Sequence, residues 1–283
     1  MTDFPEFDSN VIDSNNTHLH YITYNAGKQP LLMLHGLTAN AHAFDGLVAR
    51  GLADDYTVIS LDQRGRGLSG NPAFAYSIPD HAEDVINLLD HLGIDKVNIA
   101  GHSFGGLMSY YLAANFPDRF EKLVILDAAA KMNPNSLEML QPTLGRLDKQ
   151  YESWDAYINE IKAAPFSAFW EPAMERYYMA DVKTTEEGGV TPRPILANIL
   201  QVAYNVGATP WDEHVQEVKQ PVILLNGVDE YSLGEPLLPE CNALETVEMM
   251  PDAKYIAVDG NHHTMLYGSG AEKIVATMRD FLK

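Results

Sequence analysis

Residues 98–106 run Asn98-Ile99-Ala100-Gly101-His102-Ser103-Phe104-Gly105-Gly106, and the fold and chemistry follow from how this stretch is read. Within it, Gly101-His102-Ser103-Phe104-Gly105 is a G-x-S-x-G pattern, which puts a serine on a sharp strand-to-helix turn with small neighbours that let the backbone fold tightly around it. The flanks suit that turn. Lys96 to Ala100 predicts a short buried strand, and Leu107 to Phe116 has helical spacing that Pro117-Asp118 terminates. A glycine-rich turn that merely contains serine is the plain alternative. The strand before, the helix after and a histidine far downstream favour a nucleophile, Ser103.

Moving outward, short apolar runs recur at Leu31–Leu34, Tyr56–Leu61, Val97–Ala100, Leu123–Leu126, Pro221–Leu225 and Tyr255–Val258. Nearly continuous apolar runs of this length suit strands buried on both faces of a parallel sheet. Between them Ala82, Val85, Ile86, Leu89 and Leu92 keep helical spacing, opened by a Ser77–Asp80 cap and closed at Gly93. A last helix starts from a capping-box pattern at Ser269–Glu272 and turns Ile274, Val275, Met278, Phe281 and Leu282 inward. Val11 to Tyr24 predicts an antiparallel edge hairpin. Strand alternating with helix implies a doubly wound α/β core.

Lys131 to Asp212 breaks the alternation. It shows no strand, only helix-like segments around 137–149, 154–162, 169–182 and 195–206, with a loop at 184–194. The expected division is therefore a core, 1–130 and 213–283, and a helical lid, 131–212, inserted between strands 6 and 7. Trp154, Phe166, Phe169, Trp170, Tyr177, Tyr178 and Tyr204 enrich that segment in aromatics. Most are expected to form its own core and some to line a pocket.

Composition narrows the partners. The 283 residues carry 19 basic and 39 acidic side chains, a net charge of −20, which opposes binding to nucleic acid or to an anionic membrane. A single cysteine, Cys241, allows no internal disulfide. The polar, acidic stretch Thr2–Asn16 lacks the basic-then-apolar pattern of a signal peptide, and no apolar run is long enough to span a membrane. These features lead to the expectation of a soluble cytoplasmic protein acting on a small molecule.

Leu34-His35-Gly36-Leu37, Asp62-Gln63-Arg64-Gly65-Arg66-Gly67-Leu68-Ser69, the Gly101–Gly106 turn and Asn261-His262 occur in this order. Together they resemble the α/β-hydrolase superfamily, in its lidded group of esterases, C–C bond hydrolases and lactonases. The resemblance spans about residue 18 to 283 and leaves the lid without specific motifs. It implies a general base on the loop after the last strand. Of ten histidines, His18 and His20 fall in the edge strands, His81 and His91 on a surface helix, His42 on a loop beyond the His35 turn and His214 in the lid return. His35 and His102 lie inside motifs with backbone-orienting or packing roles. His262 is the base, preferred to its neighbour His263, because a one-residue shift would turn the ring away.

The residue after an elbow nucleophile supplies one oxyanion donor, the Phe104 amide, and the resemblance of His35-Gly36-Leu37 to the family's oxyanion turn makes Leu37 the other. The resemblance leaves two places for the triad acid. Asp229, after strand 222–225, is where most members carry it; Asp127, ending strand 123–126, is the site some use instead, and Glu230 is a distant third. Asp229 is preferred, although the displaced glycine in Asn226-Gly227-Val228-Asp229-Glu230 departs from the usual pattern. The arginines of 62–69 are expected to pair with nearby carboxylates, since this loop fits neither phosphate-binding motif. No metal-ligand spacing and no nicotinamide, flavin or pyridoxal signature occurs, so the expected chemistry is cofactor-free. The sequence thus predicts a serine carboxylesterase for small or medium esters, with C–C hydrolase, lactonase and a non-catalytic ligand receptor as alternatives. Aspartate-nucleophile chemistry is disfavoured by the serine.

Overall fold

The computed structural model describes residues 4–283; the first residues of the acidic stretch, Thr2 and Asp3, lie outside them. Eight strands form one sheet: β1 (Phe7–Ser14), β2 (Thr17–Tyr24), β3 (Gln29–Leu34), β4 (Tyr56–Leu61), β5 (Val97–His102), β6 (Phe120–Leu126), β7 (Val222–Gly227) and β8 (Ala253–Val258). Their spatial order is β1-β2-β4-β3-β5-β6-β7-β8. β1 and β2 form the predicted edge hairpin and join β4 antiparallel, while every later pairing is parallel.

Alternation along the strands explains why both faces are covered. Met33, Val58, Ala100, Val124, Leu126, Ile223 and Leu225 pack on one face with Ile274, Val275 and Met278 of the C-terminal helix. Their sequence neighbours Leu32, Leu34, Ile59, Ile99, Ile125 and Leu224 point the other way, onto Ala82, Val85 and Leu89 and onto Leu107, Met108 and Leu112. These last two groups belong to α1 (Ile78–His91) and α2 (Phe104–Asn115). α1 begins with the predicted capping box between Ser77 and Asp80, and Gly93 follows it with φ +65°, the left-handed stop that favours glycine. The last helix differs from expectation. It starts at Gly268, with Tyr267 as N-cap and no side-chain cap, so the Ser269–Glu272 pattern falls inside the first turn rather than capping it.

Residues 131–212 lie between β6 and β7. They hold two single-turn helices (Ser136–Met139 and Gln141–Leu144), then α3 (Trp154–Lys162), α4 (Pro172–Asp181), α5 (Leu196–Ala208) and the start of α6 (Trp211–Glu217). The insertion is not strandless. Val182–Thr184 pairs with Val190–Pro192 in a small antiparallel hairpin, and three-residue strands are too short for alternation to reveal. Tyr157, Ile161, Met174, Tyr177 and Tyr178 join the same core cluster as one sheet face, so the insertion is continuous with the core.

At the edge of the sheet, His20 Nδ1 contacts Asp62 Oδ2 at 2.7 Å and Ser9 Oγ contacts His20 Nε2 at 2.8 Å. Both Asp62 oxygens also accept backbone N–H groups, from Ala41 at 2.6 Å and from Leu68 at 2.9 Å. This chain of contacts fastens the hairpin to the loop after β4. No helix among the described residues is long and apolar enough to cross a membrane.

Candidate active site

The predicted turn after β5 has the strain its sequence implies. Ser103 sits at φ 55°, ψ −119°, a conformation costly for any residue with a side chain, and α2 begins at the next residue. The neighbouring glycines are required by contact. A Cβ on Gly105 would stand 1.9 Å from the Leu34 carbonyl oxygen, and one on Gly101 would stand 2.1 Å from the Gly105 oxygen. The helix can therefore press against β3 and β5 only with no side chain at either position.

His262 reaches the serine from the loop after β8. Its Nε2 accepts from Ser103 Oγ at 2.9 Å, and its Nδ1–H donates to Asp127 Oδ2 at 2.6 Å. The acid in contact with the histidine is thus Asp127 and not Asp229, which corrects the sequence assignment. Asp127 follows β6 with φ +55°, a turn that swings its carboxylate toward His262. Its other oxygen accepts the Gly227 N–H at 2.7 Å and the Asn226 side-chain amide at 2.8 Å. The end of β7, where an acid was expected, instead supplies donors to the acid on β6. Asp229 is exposed and accepts the Gly260 N–H at 3.1 Å, bracing the histidine loop. Glu230 is also exposed; its carbonyl accepts from Asn261 at 3.3 Å.

Asn261 anchors that loop from within. Its Oδ1 accepts the N–H groups of His263 and Thr264 at 3.0 and 2.9 Å, and its amide donates to the Phe166 carbonyl at 3.1 Å. His102 adds a clamp from the elbow, donating from Nε2 to the His262 carbonyl at 2.8 Å. His263 has moved off the Ser103–Asp127 line, yet its ring still lines the cavity, with Nε2 3.3 Å from the Tyr178 hydroxyl. Burial, then the neighbouring His262 and Arg146, pushes its pKa down to about 3, which keeps it neutral.

The turn expected to supply an oxyanion donor follows β3. His35 is fully buried; its Nδ1–H donates to the Gly36 carbonyl at 2.8 Å while Nε2 accepts the Gln63 N–H at 3.1 Å. Burial lowers its pKa to about 4, outweighing the nearby Asp62. Holding the Gly36 carbonyl also fixes the Leu37 N–H, because both lie in one peptide plane. Leu37 lines the cavity beside Ser103. Phe104 is the first residue of α2, so its N–H has no acceptor within the helix and lies at the positive end of the helix dipole. Arg64 pairs with Asp84 as a fork at 2.6 and 2.7 Å, as expected. Among the described residues Arg66 pairs with no carboxylate: it donates to the Leu37 carbonyl at 2.9 Å and the Arg64 carbonyl at 2.7 Å.

A cavity of about 80 Å³ opens at Ser103 and His262, walled by Leu140, Leu144, Ile161, Phe166, Tyr177, Tyr178 and Tyr231. Of the aromatics singled out in sequence, Phe166, Tyr177 and Tyr178 line it, whereas Trp154 and Trp170 pack beside the core cluster and Phe169 and Tyr204 are exposed. Arg146, Thr143 and Tyr231 also line the cavity and carried no sequence signal, having no motif or periodicity to mark them. His81 was expected on a surface but is buried, accepting from Arg66 Nη1 at 3.0 Å. His42 contacts Asp45 at 3.1 Å and is not among the cavity residues.

A family model described as alpha/beta hydrolase fold matches residues 29–238. The chain belongs to this family of hydrolases. It is 27% identical over 242 residues to the 2-(acetamidomethylene)succinate hydrolase of Mesorhizobium japonicum, covering 84% of this chain and 82% of the relative. It is 35% identical over 123 residues, 43% of this chain and 46% of the relative, to 3-oxoadipate enol-lactonase 2 of Acinetobacter baylyi. The crystal structure of E-2-(acetamidomethylene)succinate hydrolase superposes with a TM-score of 0.85 at 24% identity, over 97% of this chain and 98% of that one.

Proposed function

We propose that the chain is a serine hydrolase that cleaves carboxylic esters of small substrates through an acyl-enzyme. The observation that carries this reading is His262 standing between Ser103 at 2.9 Å and Asp127 at 2.6 Å. A serine hydroxyl is a weak nucleophile at neutral pH, and a base at this distance removes its proton as it attacks the carbonyl. Asp127 keeps the proton of His262 on Nδ1, so that Nε2 is free to act, and stabilises the imidazolium that forms. The amides of Leu37 and Phe104 receive the developing oxyanion. His262 then returns its proton to the leaving alcohol, and water, activated by the same base, releases the acid. Residues 131–212 act as the lid over this centre. The narrow, largely apolar cavity suits a short acyl group, since a long chain would have to displace Leu140, Leu144 or Ile161.

A lactone is a cyclic ester and needs the same steps, and the similarity to an enol-lactonase favours lactones as the second substrate class. The test is a panel of p-nitrophenyl esters of increasing acyl length with a set of lactones, assayed on the wild type and on Ser103→Ala. Multiple turnovers on short esters are expected, with kcat reduced about 10⁴- to 10⁶-fold in the variant. A single turnover, or equal rates in both proteins, would instead favour a ligand receptor of this fold.

A further inference from the structure

Three successive carbonyls of the oxyanion turn are held by side-chain donors. Gly36 O is gripped by His35 at 2.8 Å, Leu37 O by Arg66 Nε at 2.9 Å and Thr38 O by Arg146 Nη2 at 3.2 Å. The first two donors come from the core, the third from the insertion. Arg146 is 3% exposed and faces the cavity, where an arginine could serve as receptor for a substrate anion. Its hydrogen bonds argue otherwise. Nε and Nη2 engage the two oxygens of Asp181 at 3.1 Å each, Nη1 donates to the Thr143 carbonyl at 2.5 Å, and Nη2 also serves Thr38. Asp181 in turn accepts from the Tyr157 hydroxyl at 2.6 Å. The guanidinium's charge is compensated by a buried carboxylate and four of its five N–H groups are committed to the chain. That is the wiring of a strut, not of a receptor.

We propose that Arg146 is a positioning residue that ties the oxyanion turn to the insertion, so that the Leu37 amide, whose own peptide plane His35 holds, is braced from the far end of the turn as well when residues 131–212 are docked. Thr38 O lies one peptide beyond the Leu37 carbonyl, so losing the tether frees the end of the turn that the core arginine does not hold. A second bond spans the same gap, from the Asn40 amide to the Tyr177 carbonyl at 3.1 Å. The proposal rests on the serine hydrolase reading, because only an oxyanion gives the turn's orientation a catalytic consequence. Complete loss of an oxyanion donor costs about 10²- to 10³-fold in kcat; a donor left in place but unbraced loses less, about tenfold or somewhat more.

The experiment uses Arg146→Gln combined with Asp181→Asn, which removes the strut without stranding a buried charge. Steady-state hydrolysis of p-nitrophenyl acetate and inhibition by a trifluoromethyl ketone, whose adduct with Ser103 carries an oxyanion, are measured beside thermal melting. The expected result is kcat down about tenfold or more and ketone affinity down in parallel, with KM within a few-fold. Glu171→Gln breaks another bond between core and insertion, the Arg50–Glu171 pair at 2.7 Å, and is expected to leave kcat within a few-fold. If the double variant fails to fold, Arg146→Lys, which keeps the charge but not the fork, is expected to shift kcat and ketone affinity in the same direction. Unchanged kcat and ketone affinity in a folded Arg146 variant would overturn the proposal. So would a rise in KM confined to carboxylate-bearing esters, the mark of an anion receptor, or an equal loss in Glu171→Gln. A wild type that neither turns over esters nor reacts with a fluorophosphonate defeats the parent reading instead, so the two failures are distinguishable.

Discussion

Asp127 and Asp229 both follow sheet strands near the site, and what separates them is the direction each carboxylate takes. A positive φ at Asp127 and two donors from the end of β7 aim its carboxylate at His262, while Asp229 faces outward and holds a loop. Sequence pattern marks strand ends well and side-chain direction poorly, so the pairing of Ser103 with His262 could be expected, while Asp127 and Asp229 stood as two candidates with the wrong one preferred for the contact with His262. The departure noted at Asn226-Gly227 was the available signal, since those two residues are the donors to Asp127. Asp127→Asn is expected to lower kcat about 10⁴-fold with the fold preserved, and Asp229→Asn to remain within a few-fold of wild type. Steady-state assays on both variants, checked by circular dichroism, test the assignment. Direction also decides the role of the Ser9–His20–Asp62 contacts at the sheet edge. They repeat the connectivity of a triad at 2.8 and 2.7 Å, but Ser9 lies on the exposed face of an edge strand and is not a residue of the Ser103 cavity, so the arrangement is structural.

Among the elements, β3, β5, β6 and the turn into α2 were the most legible, because buried parallel strands are continuous apolar runs and the elbow demands glycine at fixed places. That demand is testable. Gly105→Ala places a methyl group 1.9 Å from the Leu34 carbonyl oxygen, and backbone cannot step aside as a flexible side chain can. The variant is expected to lose soluble expression or cooperative melting. A well-folded, active Gly105→Ala enzyme would show that α2 does not sit this close to β3. The insertion was legible as a helical interruption but not in detail. Its three-residue hairpin is too short for period-two alternation, and Thr143 and Arg146, three residues apart, meet Tyr231 from the loop after β7 with no local pattern to join the two segments.

At the scale of the molecule, several histidines, three buried and His263 half-buried, are held in neutral form around the site. The pKa of His35 is lowered by burial from 6.5 to about 4 and that of His263 to about 3. His81 and His102 are held well below the ordinary value, chiefly by burial. Below 6.5 the unfolded chain takes up protons that the folded chain refuses until about pH 4, so stability is full above that range and falls as pH drops through it. The net charge of −20 works the other way once carboxylates begin to protonate, which occurs mainly near pH 4. Between about pH 6.5 and 5 the histidines therefore dominate. Melting temperature is expected to be level above about pH 7 and to fall steeply toward pH 5; a level profile down to pH 5 would contradict the buried, neutral assignment.

The central claim is that Ser103 is a nucleophile activated by His262. Intact-protein mass spectrometry after reaction with a fluorophosphonate, followed by peptide mapping, reads it directly. The account predicts one adduct per chain, on Ser103, formed slowly or not at all in His262→Ala and absent from Ser103→Ala. An unmodified wild type, or an adduct that persists in Ser103→Ala, would contradict it.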